Sequence, residues 1–118
     1  MPVRQQQHDA WRTVQRSHAI ANSVYVASVN RVGKEVVAAG IDGLEFWGQS
    51  FVSSPTGAVL AEASVDANEI VVVDCNLDSI EEQRRHWPFF RDRRVDTYAE
   101  LTERYIDLGL ARSGSSKA

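Results

Sequence analysis

The run Val24-Tyr25-Val26-Ala27-Ser28-Val29 is apolar at both alternating sets of positions. Successive residues of a strand point to opposite faces, so this run suits a strand covered on both sides. The chain has 118 residues, enough for one domain and too few for two.

The pattern around that strand alternates helix and strand signals. Residues 1–7 are polar and without period, and read as a loose lead-in. From Asp9, a plausible helix N-cap, Trp11, Val14, His18 and Ala21 recur at three- and four-residue steps, with Arg12, Gln15 and Arg16 on the side left to water. Asn30 to Gly43 carries three glycines and reads as a long connecting loop. Leu44 to Val52 is expected as a second strand, with Trp47 and Phe51 on one face and Phe46, Gly48 and Ser50 on the other. Ser54-Pro55-Thr56-Gly57 has the residues of a β-turn, so Val59-Leu60-Ala61 is expected to pair back as a third strand. After a turn at Asp66-Ala67-Asn68, Ile70-Val71-Val72-Val73 reads as a fourth. Asp78-Ser79-Ile80-Glu81 has the form of a capping box with Asp78 as N-cap, opening a short helix that Pro88 stops. Phe89 to Arg94 fits neither period and reads as an extended arm. A last helix is expected after Asp96, with Tyr98, Leu101, Tyr105 and Leu108 on one stripe, and a disordered Gly/Ser-rich tail from Gly109. The order is that of an α/β fold. Trp47, Phe51, Trp87, Phe89 and Phe90 are more aromatic surface than such a sheet can easily cover, which implies packing against something further.

Composition narrows the function classes without choosing one. With 43% hydrophobic and 25% charged residues the chain is of ordinary globular type. No apolar run approaches the roughly 18 residues that would cross a bilayer, and the polar start is no signal peptide, so a cytoplasmic protein away from membranes is expected. A formal charge of −3 gives no net pull toward nucleic acid. The single cysteine, Cys75, excludes an intrachain disulfide and a cysteine-based zinc site.

No catalytic, cofactor-binding or metal-binding residue is assigned. Cys75 ends an apolar run directly after Asp74, whereas a reactive thiolate needs electropositive surroundings; a small buried side chain is the better account. His8, His18 and His86 share no short ligand spacing, so His18 is expected in helix packing and the other two at the surface. Arg84, Arg85, Arg91, Arg93 and Arg94 could bind an anion. Glu81, Glu82 and Asp92 are interleaved with them, which favours ion pairs or a protein interface. Gly48 with Ser50 lacks the flanks of a nucleophile elbow, and close backbone packing explains Gly48 better.

Four segments, in order, resemble the nitrilase superfamily of carbon–nitrogen hydrolases over about residues 8 to 108. His8 to Asn22 looks like the helix that follows the nucleophile region, and Val26-Ala27-Ser28-Val29-Asn30-Arg31-Val32-Gly33 is similar to the next strand and turn. Phe46-Trp47-Gly48-Gln49-Ser50-Phe51-Val52, with Pro55-Thr56-Gly57, resembles the family's aromatic-x-Gly-x-Ser strand and its turn. Trp87-Pro88-Phe89-Phe90-Arg91-Asp92-Arg93-Arg94, with Asp96 and Tyr98, looks like the ending found in N-carbamoylputrescine amidases, with Val95 where proline is usual.

The resemblance implies a covalent reaction in which a cysteine thiolate attacks an amide or carbamoyl carbon, a glutamate acts as base and a lysine stabilises the oxyanion. All three precede the helix that opens this chain in the family's order. Lys34 lies in a loop, Lys117 in the tail, and Cys75 falls where the family has a strand residue, so no catalytic role is carried over to any of them. The expected architecture is the C-terminal half of an αββα sandwich, about four strands with flanking helices and a C-terminal arm. Residues 8–108 would form it, between the lead-in 1–7 and the tail 109–118. The expected partners are the missing N-terminal half of the same domain and a second copy met through the arm, with no nucleic acid, membrane or cofactor. The full-length form would hydrolyse N-carbamoylputrescine, or a related carbamoyl or amide compound, to putrescine, ammonia and carbon dioxide, the segment alone being inactive. The alternative is a non-catalytic half-sandwich that serves interaction or dimerisation.

Overall fold

A computed structural model describes residues 3–36, 38–40 and 42–104. The first helix, α1, runs Val3–Asn22, so it begins six residues before the expected Asp9 cap and takes in most of the segment read as a lead-in. Its end is a Schellman motif: Ser23 adopts φ 49° and its N–H bonds Ile20 O at 3.1 Å, while Val24 N–H bonds Ala19 O at 3.0 Å. Ser23 is buried, so this left-handed cap sets the angle at which the chain enters the sheet.

Among the described residues, five strands form two antiparallel units. Strands β1 (Val26–Ser28), β4 (Phe51–Ser53) and β5 (Val59–Glu62) make a sheet in the order β1-β4-β5. Strands β2 (Val32–Glu35) and β3 (Leu44–Trp47) pair only with each other, as a ribbon inserted between β1 and β4. Two expectations change here. The segment Asn30 to Gly43 is not wholly loop, because Val32–Glu35 gains strand geometry from β3. Leu44 to Val52 is not one strand, because left-handed Gly48 and Gln49 (φ 57° and 53°) break it and pass the chain from one sheet to the other. The turn at Ser54–Gly57 forms as read, closed by Gly57 N–H to Ser54 O at 2.8 Å, and β5 pairs back on β4 with a bulge at Val52/Ser53.

The face of α1 turned to the sheet differs from the apolar stripe. His8, Trp11, Arg12, Gln15 and Ala19 are the residues drawn inward, whereas Val14, His18 and Ala21 are exposed. Trp11 meets Phe51 edge to face at 5.4 Å between ring centres, and His8 stacks on Trp47 at 5.2 Å. The Arg12 guanidinium pairs with both Glu62 oxygens, one bond measuring 2.7 Å, and lies 5.5 Å from the Phe51 ring centre. A bidentate arginine can occupy a partly exposed seam at the edge of the sheet that an apolar pattern assigns to water.

The core is small. Ala19, Phe51 and Pro55 are the buried apolar side chains among the described residues. Val24–Val29 is therefore not covered on both sides: Val29 is 87% exposed. The fourth strand does not form either. Ile70 and Val72 are 94% and 85% exposed, and residues 70–73 pair with no strand among the described residues.

The second helix, α2 (Asp78–His86), is capped one residue earlier than expected, at Leu77 instead of Asp78, and no side chain bonds there. Asn76 does part of that work, its Oδ1 accepting from Asp78 N–H at 3.1 Å. Phe89–Asp92 is a turn rather than an extended arm, with Asp92 N–H bonding Pro88 O at 3.1 Å. Beyond it, short 3-10 turns at Val95–Thr97 and Ala99–Thr102 replace the start of the expected helix. Tyr105, Leu108 and the tail from Gly109 lie outside the described residues.

The Arg12–Glu62 seam makes the stability of this unit pH-dependent. The hydrogen bond from Arg12 holds the Glu62 carboxyl below the usual range, against burial, and the positive charge of Arg12 adds to it. A lowered folded-state value stabilises fully above the unfolded value of about 4.3 and is lost as pH falls through the folded value. The variant Glu62→Gln is expected to melt lower than wild type at pH 7 and to show a flatter fall in melting temperature between about pH 5 and 3. Equal slopes for the two proteins would count against the seam.

Candidate functional site

The β2–β3 ribbon leaves the main sheet at a fork, and the fork is the most tightly determined polar feature of the chain. Asn30 follows β1, and Gly48-Gln49-Ser50 lies between β3 and β4. Asn30 N–H bonds Ser50 Oγ at 2.8 Å, and the same hydroxyl donates to Asn30 O at 3.0 Å. The Asn30 side chain then spans the gap: Nδ2 donates to Gly48 O at 2.9 Å and Oδ1 accepts from Arg31 N–H at 3.0 Å. Backbone bonds complete the knot, from Gly48 N–H to Arg31 O (3.0 Å), from Gln49 N–H to Ser64 O (2.9 Å) and from Ala63 N–H to Ser50 O (2.8 Å).

These bonds hold two consecutive left-handed residues. Gly48 meets the need without a side chain: a Cβ there would lie 2.6 Å from Val32 Cγ1 and 2.8 Å from Ser64 O. Close backbone packing, expected for Gly48 from its type, is what the structure shows. Gln49 adopts the same region with a full side chain, at a cost on the order of 1–3 kcal/mol, and such strain persists only where the surroundings over-determine it. Beside the knot lies a cleft of about 400 Å³ lined by Asn30, Gln49, Ser50, Asn68 and Glu69 among others.

The residues weighed for chemistry lie elsewhere. Cys75 is exposed in an irregular stretch, not buried as a small apolar side chain, because the segment before it has no strand to pair with. His8 is half-buried in the aromatic seam and His18 is exposed, the reverse of the expectation; His86 is exposed at the end of α2. Among the described residues no group of three His, Cys, Asp or Glu side chains could hold a metal ion. Lys34 sits on the ribbon 3.9 Å from Asp42. Lys117 is outside the described residues. No described helix is long and apolar enough to cross a membrane.

The arginine cluster is largely engaged within the chain. Arg85 pairs with Glu81, Arg91 with Asp92 and Arg94 with Asp96, while Arg84 and Arg93 lie 5.7 and 5.2 Å from the Phe90 ring centre. The Arg94 hydrogen bond holds the Asp96 carboxyl below its usual range. Phe89 and Phe90 are about two-fifths exposed and face Ile20 and Ala21 of α1 across a cleft of about 520 Å³.

The profile of the carbon–nitrogen hydrolase family matches residues 3–85, which spans α1, both sheets and most of α2. The chain belongs to the carbon–nitrogen hydrolase family. An N-carbamoylputrescine amidase of Arabidopsis thaliana is 41% identical over 95 residues, 79% of this chain and 32% of that protein. A citrullinase of Francisella tularensis is 33% identical over 97 residues, 82% of this chain and 33% of that protein. The crystal structure of a carbon–nitrogen hydrolase from Helicobacter pylori G27 superposes with a TM-score of 0.80 at 46% identity, over 86% of this chain and 35% of that one. The chain thus spans about a third of the length of the curated relatives it matches.

The fork itself was only partly visible beforehand. The sequence points to Gly48 and Ser50, weighed together as a nucleophile elbow, and gives no role to Asn30 or Gln49. The one available signal was spacing: Asn30 directly follows the first strand, and Ser50 stands two residues after a glycine that interrupts an aromatic run. Gly48→Ala is expected to destabilise the fold by about 2 kcal/mol or more, since it combines a left-handed φ with a clash against backbone oxygen. Denaturant unfolding of the two proteins measures this, and an unchanged midpoint would contradict the tight fork.

Proposed function

We propose that this chain forms the C-terminal part of a carbon–nitrogen hydrolase whose complete domain hydrolyses N-carbamoylputrescine or a related carbamoyl compound to the amine, ammonia and carbon dioxide, or a related amide to its carboxylate and ammonia. The observation that carries the reading is the joint one of family and exposure. Residues 3–85 match the family, yet the sheet is covered by α1 on one face and the apolar segment Ile70–Val73 has no strand partner among the described residues. In this reading the missing layer and the unpaired strand's neighbour come from the rest of the domain, which completes an αββα sandwich. Similarity to an amidase acting on N-carbamoylputrescine supports the substrate class.

The reaction needs a thiolate nucleophile, a carboxylate base and a cationic oxyanion partner in one site. In the family's order these come before the helix corresponding to α1. The role left to this segment is therefore structural: it walls the site and braces it. The second reading, a free-standing interaction module, draws on the same exposed apolar residues, among them Ile70, Val72, Trp87 and Leu101.

Ammonia release from N-carbamoylputrescine separates the two. The isolated chain is expected to release none. Co-expressed with the first two-thirds of the Arabidopsis relative, it is expected to restore hydrolysis, and Cys75→Ser is expected to leave that activity in place. Hydrolysis by the chain alone, abolished by Cys75→Ser, would overturn the proposal and make Cys75 the nucleophile.

A further inference from the structure

We draw no further inference here: the strongest candidate, the apolar groove between α1 and the Phe89–Asp92 turn with Arg16 and Arg93 among its lining residues, carries none, because nothing in the structure shows what covers it.

Discussion

Phe51 sits where α1 meets the main sheet, and the rest of the described structure hangs on that contact. Its ring is 2% exposed, closed over by Trp11 on one side and by the Arg12–Glu62 pair on another. Strand β4, which carries it, is the middle strand and pairs with both β1 and β5. Loss of the ring would remove about 3–5 kcal/mol from a unit with few other buried apolar side chains. The aromatic seam therefore fixes the layer order of helix over sheet and leaves the sheet's opposite face open.

From that asymmetry the fork follows. A chain that leaves β1 to build the β2–β3 ribbon must come back into register at β4, and it does so through two left-handed residues braced by Asn30 and Ser50. The strain is local and the bracing is polar, which gives a rigid, hydrogen-bonding edge beside an open cleft. Under the function proposed above, such an edge would wall a site whose reacting groups come from another part of the domain. Aromatic and basic residues after Pro88 form a second exposed region, with Phe90 held between Arg84 and Arg93 and a cleft separating it from α1.

What could be read in the sequence was what residue type dictates over short range. The Ser54–Gly57 turn was legible because proline and glycine fix its geometry, and the pairing of β5 on β4 followed from it. The helix ending at His86 was legible from Pro88. The face of α1 was not, because Arg12 and His8 take inward positions through ion pairing and stacking, which a hydrophobic period does not register. Strand β2 was hidden in Val32-Gly33-Lys34-Glu35, whose geometry comes from pairing with residues twelve or so positions away. Ile70–Val73 shows the converse: its composition is that of a strand, yet a strand exists only with a neighbour to bond. Gln49 gave no sign of its left-handed backbone, since nothing in its chemistry favours one. The segments that resemble the family were the stronger guide to the family and to a mixed α/β fold, which local propensity alone does not specify.

The central claim is that this chain is one layer of a larger domain and leaves apolar surface uncovered by itself. Sedimentation of the isolated chain across a concentration series, with binding of an apolar-surface dye measured in the same samples, tests it most directly. The account predicts an average mass that rises with concentration above the 13.2 kDa of one chain, together with strong dye binding. A concentration-independent monomer that binds no dye and melts in one sharp transition would contradict it.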